Sequence, residues 1–297
     1  MSFPSAPTAA YKQQFHDAFV DALAQKESRL QGTVIDRGQI SGSSFTINSL
    51  GTTEMEAVTG RYQDKNPAEL DNNTRLVYMA DFDRTLVIDG FDIPKLAADP
   101  SFKYAGLLVE AANRRKDKTI YRALIDDVVT KTGESSFSTA TLPSAQKIVA
   151  GGTAFTKAKA LLVRKLFRAN ECDQENGEQL FMLYDSNMVA QILADTTLTS
   201  ADFMSVQMLQ DGKVATNWLG FTWLPYEQLD NGAGGATERK TVAYAKSGVH
   251  LGTGITAKTE IGENKTKRGH PVEAYGWMSL GAGRQDEKKV VTIDFLI

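Results

Sequence analysis

The sequence predicts an α+β protein, with strands gathered toward both ends of the chain and helices between them instead of a regular strand–helix alternation. Three stretches carry that class. Residues 76–93, LVYMADFDRTLVIDGFDI, alternate apolar and polar side chains and close on an Asp-Gly turn, which reads as a strand pair or a strand plus turn. Residues 99–129, DPSFKYAGLLVEAANRRKDKTIYRALIDDVV, hold apolar side chains at helical spacing. The last part of the chain, with ITAKTEIGE, PVEAYGWMSLGAGR and KKVVTIDFLI, reads as long strands.

The elements follow in order. Residues 1–10 form a small-residue tail with Pro4 and Pro7, and from Tyr11 to Leu30 an amphipathic arm helix is expected. Its apolar stripe is Tyr11, Phe15, Ala18, Phe19, Ala22 and Leu23, with Gln13, Gln14, Asp17, Asp21 and Lys26 opposite. Residues 32–75 are rich in Gly, Ser, Thr and Asn and alternate only briefly, at Phe45 and Ile47 and at Glu54 and Glu56. A ribbon with so few apolar side chains covers neither face and is marginal alone, so it must lie on the body of this chain or on a neighbouring subunit. The long helix has Asp99 or Ser101 to cap it and Pro100 in its first turn, and it runs about 30 residues, or about 45 Å, to a stop near Gly133. Its apolar faces, Tyr104 to Ala111 and Tyr121 to Val128, are interrupted by the polar waist NRRKDK, where Arg114 and Asp117 are spaced to pair.

A Gly, Ser and Thr stretch, 133–153, divides the chain. Beyond it come a helix in AFTKAKALLVRKLFRAN, a buried strand Leu180–Tyr184 running into a helix capped by Asp185 or Ser186, and a short helix in MSVQMLQDG. GKVATNWLGFTWLPYEQL then supplies two strands around Gly220, and ERKTVAYAKSGVHLGT another. Trp218 and Trp223 stand at an odd offset, so on one strand they face opposite sides unless Gly220 introduces a bend. That geometry disfavours a one-sided aromatic box and favours a packed strand corner.

Composition removes several function classes. The 297 residues, 42% hydrophobic and 23% charged, make an ordinary globular chain long enough for two lobes. Basic and acidic residues, 33 against 36, are spread evenly, so no strong field gathers nucleic acid or an anionic membrane. No run approaches the ~20 apolar residues of a spanning helix, and MSFPSAPTAA lacks signal-peptide features, so a protein made and kept in the cytoplasm is expected. Cys172 has no partner for a disulfide.

The chemistry-bearing residues read blandly. His16, His250 and His270 show no HxxxH or HExxH spacing for a metal, and Cys172 sits in a polar turn without the flanks of a nucleophile. The glycine clusters DNGAGGAT, LGTGIT and LGAGR lead into no GK[ST] or phosphate-holding helix and read as turns. Asp81, Asp83, Asp89 and Asp92 lack the glycine and terminal glutamate of a calcium loop. NRRKDK and KTKR have no interleaved aromatics and read as solvated faces. No catalytic residue, cofactor site or metal site can be nominated. An arm, an unsupported ribbon and a helix with a polar waist suit an assembling subunit better than an enzyme.

The order of QKESRLQGTVIDRG, GRYQDKNPAELDNNTRLVYMADFDRTLVIDGFDIPKLAADPSFKYA, AANRRKDKTIYRAL, LADTTLTSADFMSVQMLQDGKVATNWLGFTWLPYEQL, AYAKSGVHLGTG and MSLGAGRQDEKKVVTIDF resembles the major capsid proteins of tailed bacteriophages with the Hong Kong 97 fold. The likeness runs from about residue 11 to the end. It is strongest at Asn113, Arg114 and Asp117, in the TSADF to GKV and LGF stretch, and in GAGRQDEKKVV.

The resemblance implies a non-catalytic coat protein that assembles into the pentamers and hexamers of an icosahedral head around double-stranded DNA. Residues 1–40 would be the N-terminal arm and 41–80 the extended E-loop that lies across an adjacent subunit. Residues 81–140 and 258–297 would form the peripheral domain, with its spine helix at 101–131, and 141–257 the axial domain. Intersubunit contacts would fall at Arg61, Asp64, Lys65, Arg75, Arg114 and Asp117, and at Trp218 and Trp223 in a corner of the axial domain. In some relatives an E-loop lysine is linked covalently to an asparagine; Lys65 is the ribbon's lysine, and no partner for it stands out. The implied partners are other copies of the chain, a separate scaffolding protein, a portal protein, packaged DNA on the inner face and a decoration protein outside, with no membrane. The protein would belong to the virion and assemble in the host cytoplasm. An encapsulin-like compartment shell shares the fold and is the alternative, with a soluble enzyme a more distant one.

Overall fold

The computed structural model describes residues 25–57, 60–61, 67, 69–70, 72–89, 101–133, 136–194, 214 and 217–297. The body of the expected arm helix, the short helix in MSVQMLQDG, the cap at Asp99, and Asp64, Lys65 and Asp92 lie outside these residues. In chain order the strands are β1 (Ile35–Gln39), β2 (Ser44–Leu50), β3 (Asn72–Tyr78), β4 (Ala80–Ile88), β5 (Val128–Lys131), β6 (Phe137–Ala140), β7 (Lys147–Ile148), β8 (Leu180–Tyr184), β9 (Asn217–Trp218), β10 (Phe221–Pro225), β11 (Asn231–Gly232), β12 (Gly235–Ala245), β13 (Val249–Glu263), β14 (Val272–Arg284) and β15 (Val290–Leu296). The helices are α1 (Ser101–Ile125), α2 (Lys157–Ala169) and α3 (Ser186–Ala194).

Among the described residues, three sheets organise the α+β fold. The largest has seven strands, in the order β7-β15-β12-β8-β10-β9 with β11 attached to β12. Every residue of β8, LFMLY, is buried, because both faces of this sheet are covered and the strand has no solvent side on which to place a polar residue. β15 is nearly as apolar, for the same reason. Val163 and Phe167 of α2, Met188 and Ile192 of α3, and Ile120, Tyr121 and Leu124 of α1 join these strands in one continuous core. Asp185 caps α3 as expected, accepting from Met188 N–H at 2.8 Å.

A four-stranded sheet, β1-β13-β14-β4, forms a long blade. The first half of α1 lies on it, where Leu108 closes over the bare backbone of Gly276. Thus α1 bridges the blade and the large core, one end on each. The third sheet, β2-β3-β5-β6, carries the ribbon: β2 and β3 pair from Ser44↔Tyr78 to Leu50↔Asn72, and β3 pairs with β5. The base of the ribbon therefore lies on this chain's own body, with Ile47 and Val77 buried. Beyond it, residues 51–57 make no strand and are exposed throughout.

Three boundaries differ from the sequence reading. The long helix ends at Ile125, not near 131, because Val128, Val129 and Thr130 are β-branched and pair with β3 as strand β5. Residue 257 is no seam, since it lies inside β13, which follows β14 from Val249↔Arg284 to Glu263↔Val272. The terminal strand β15 belongs to the seven-stranded sheet, paired with β12 from Glu238↔Leu296 to Tyr244↔Val290, and not with the blade. Strand pairing is non-local, so a strand's own residues do not say which sheet takes it.

Candidate assembly surfaces

The polar waist of α1 is largely spent inside the subunit. Asp117, fully buried, accepts from Gln25 Nε2, from Ser28 Oγ at 2.5 Å, and from the backbone N–H groups of Arg29 at 3.0 Å and Leu30 at 3.2 Å. One turn away, Asn113 Nδ2 donates to Lys26 O at 2.8 Å, and Lys116 Nζ donates to Gln31 Oε1 at 2.8 Å. Residues 113, 116 and 117 share a helix face by their i, i+3, i+4 spacing, and that face grips the segment 25–31. Asp117 is therefore an internal clasp and not a surface contact, its carboxylate taken up by this segment. On another side of the helix, the guanidinium of Arg115 lies 4.0 Å from the ring centre of Phe82.

The base of the ribbon is tied down by a buried ionic node. Arg75 on β3 donates from Nη1 to Arg284 O at 3.1 Å and from Nη2 to Glu287 at 2.5 Å. Arg284, with no exposed surface, donates from Nη1 to Leu124 O at 2.9 Å and Asp126 O at 3.1 Å, satisfying the carbonyls left open at the end of α1. Burial alone would raise the Glu287 carboxyl, but the hydrogen bond and charge of Arg75, with the charge of Arg284, bring it below the ordinary carboxylate value. Arg75 is thus an internal strut and not a surface contact. Arg284 and Glu287 were not singled out in the sequence, and the available signal was a lone charge closing the small-residue strand LGAGR.

The described part of the ribbon exposes several apolar and acidic side chains. Leu50 is 75% exposed, Met55 fully exposed and Leu70 47% exposed, beside exposed Glu54, Glu56 and Glu69. Arg61 is exposed there, and Arg114 on α1 is half-buried. A groove of about 490 Å³ runs between α1, the ribbon base and β14, with Arg115, Lys118, Arg122, Leu76 and Tyr78 among its walls.

The tryptophans belong to the core and not to opposite faces of one strand. β9 and β10 form a hairpin, with Leu219 (φ 54°) and Gly220 (φ 75°) as its two-residue turn. Trp218 stands opposite Phe221, and Trp223, two residues on, shares that face. Their rings meet at 5.3 Å, and Trp223 Nε1 donates to Trp218 O at 3.0 Å. Trp223 is buried against Phe155 and Tyr184. The bend that the sequence allowed at Gly220 is a full reversal between two strands, so the odd offset does not separate the two rings.

The reactive groups are packed away. Cys172 is buried, and burial pushes its thiol up to about 11. His250 Nδ1 accepts from Arg37 Nε at 3.1 Å, and burial, then the Arg37 charge, hold the imidazole below its ordinary value. Among the described residues no three His, Cys, Asp or Glu side chains gather as a metal site, and no helix is long and apolar enough to cross a membrane.

A family model described as phage capsid protein matches residues 7–297. No curated protein matches. Among solved structures, the capsid asymmetric unit of cyanophage Pam1 superposes with a TM-score of 0.73 at 14% identity, covering 100% of this chain and 99% of that one. The capsid of Ralstonia phage GP4 gives 0.68 at 11% identity, with 98% of each chain covered. The capsid of cyanophage P-SCSP1u gives 0.67 at 15% identity, with 95% of this chain and 91% of that one covered. The fold is thus shared from end to end at identities too low to carry more than the fold.

Proposed function

From the premise that the chain belongs to the phage capsid protein family, as a structural capsid protein and not an enzyme, we propose how it builds a shell. Copies associate as pentamers and hexamers of an icosahedral head around double-stranded DNA. In that shell the seven-stranded lobe surrounds the capsomer axis as the axial domain, the blade with α1 as spine helix is the peripheral domain, and residues 41–80 are the extended loop that crosses an adjacent subunit. The compartment-shell alternative is not favoured, since the family model and the structural neighbours are phage capsids.

One observation carries the reading: the ribbon's outer half displays Leu50, Met55 and Leu70 to solvent although its base is firmly tied. Burying each such side chain is worth about 1.5–3 kcal/mol, and a shell repeats that contact at every subunit. The groove along α1, with Leu76, Phe82 and Leu280 among its walls, is the surface proposed to receive these apolar side chains; its Arg115 and Lys118 are offset by Asp126 and Asp127, and Arg122 is paired with Asp126 and Asp230. Arg61, Asp64, Lys65 and Arg114 remain the proposed intersubunit charges. A separate scaffolding protein, a portal, DNA on the inner face and an outer decoration protein complete the proposed partners, with assembly in the host cytoplasm and residence in the virion.

The test replaces residues 52–70 by Asn-Gly, which keeps β2 and β3. Sedimentation and negative-stain microscopy should show megadalton shells for the wild-type chain and only folded, unassembled subunits for the variant. Shells from the variant would remove the ribbon's role, and a wild-type chain that stays a compact monomer under all assembly conditions would overturn the reading.

A further inference from the structure

The segment held by the waist of α1 has a direction. Its backbone meets Asn113 at Lys26 O and Asp117 at the N–H groups of Arg29 and Leu30, so lower residue numbers lie toward the first turns of α1. Gln25 reaches back to Asp117 with its side chain, and Leu30 is buried in the large core at the other end. The chain before Gln25 therefore leaves the clasp heading along the N-terminal half of α1. Lys26 and Leu30 stand as far apart in sequence as Asn113 and Asp117, so the two stretches advance side by side at about the same rate.

That path is incomplete among the described residues. Glu110, one turn before Asn113 on the same stripe of the helix, has a buried Oε2 with no hydrogen-bond partner among them. Val109, also one turn before Asn113, is 45% exposed. It lines a groove of about 460 Å³ between α1 and the blade, with Leu108, Ala112, Phe82 and Met278 among the apolar walls and charges of both signs, such as Asp83 and Lys258, beside them. A buried acceptor without a donor and an exposed apolar side chain at the mouth of an apolar groove stand together on one path, and each is costly until something covers it.

We infer that residues 11–24 of the same chain complete this path, lying along the N-terminal half of α1. The amphipathic pattern of that segment supplies the matching surface, the apolar stripe of Tyr11, Phe15, Ala18, Phe19, Ala22 and Leu23. Counting back from Lys26 beside Asn113, at about 1.5 Å per residue on two helices, brings Ala22 level with Val109 and Phe19 about one turn beyond it. The occupant is the chain's own segment because Gln25, the next residue, is already fixed to α1, and a tethered segment outcompetes a free copy by its effective concentration. Seated there, the arm is taken up within its own subunit, and the ribbon is the apolar element left to reach a neighbour. The inference concerns one subunit and holds or fails independently of shell formation.

Disulfide trapping in the unassembled full-length subunit tests it. Ala22→Cys with Val109→Cys is expected to close a bond within one chain at least about ten-fold faster than Asp21→Cys with Val109→Cys, whose first thiol starts from the polar face of the arm. Cys172 is buried and does not compete. In hydrogen exchange, residues 15–24 of the wild-type chain are expected to be protected at least about ten-fold more than in Val109→Asp, a change at a half-exposed position that leaves the core intact. Equal trapping rates for the two cysteine pairs, bonds that form only between chains, or an arm no better protected in the wild-type chain than in the variant overturns the inference.

Discussion

The seven-stranded lobe and the blade with its ribbon are built from the same chain to different standards of completeness. In the lobe, β8 and β15 are buried on both faces, and rings from α2, β10 and β15 interlock, as Phe167 with Phe221 at 5.8 Å and Phe155 with Phe295 at 6.1 Å. In the blade and ribbon, α1 covers one face, and Leu50, Met55, Val87 and Tyr275 stand in water. The first region is finished by its own sequence. The second is held by a few polar ties, the Asp117 clasp and the Arg75–Glu287–Arg284 node, which fix orientation without making a second large core. A subunit meant to be completed by its neighbours needs this division: one part must fold alone, and another must keep apolar surface unspent.

Breaking each region should therefore have different consequences. Phe221→Ala removes a fully buried ring from the lobe and is expected to cost about 3–5 kcal/mol in a urea melt, destabilising the whole subunit. A loss under about 1 kcal/mol would mean that the lobe is not the stabilising half.

Glu287→Gln attacks the tie between the regions. It leaves two buried guanidiniums without their anion, at about 3 kcal/mol. The folded carboxyl lies below the ordinary value of 4.5, so its contribution is present above that value and fades as pH falls through the lowered one. Melts followed from pH 7 to 3 should show this acid-side loss in the wild-type chain and less of it in the variant; equal slopes would remove the node from the account.

The smallest effect on the subunit should come from Met55→Asp, within about 0.5 kcal/mol of wild type because the side chain is fully exposed. Its effect on the shell should be large, since the proposed docking buries the same position. A variant that assembles normally would move the docking surface elsewhere on the ribbon.

Much of this was legible in the residues. Alternation in LVYMADFDRTLVI located β4 and the five apolar residues of LFMLY located β8, whereas NRRKDK read as a solvated face although Asn113, Lys116 and Asp117 within it hold residues 25–31. The waist's partner was not legible, because nothing local to Asp117 points to residues 25–30, which are far away in sequence. The same limit hid the node: Arg75, Arg284 and Glu287 come from opposite ends of the chain. For the Trp218 and Trp223 pair the two strands around Gly220 were legible, but not that the turn at Leu219 and Gly220 brings both rings to one face, since that depends on the cross-strand register.

The sequence by itself determined the α+β class, the order of the elements, the polar ribbon and, through its capsid-like segments, the family. Those features depend on period, turn chemistry and composition, all of which act over a few residues. Only the tertiary structure decided that α1 stops at Ile125, that β15 completes the seven-stranded sheet, that Asp117 and Arg75 turn inward, and that the ribbon base covers only the inner half of the blade face opposite α1. Each is a choice among partners distant in the chain, made by packing and by the need to satisfy buried charge, and no local pattern records which partner won.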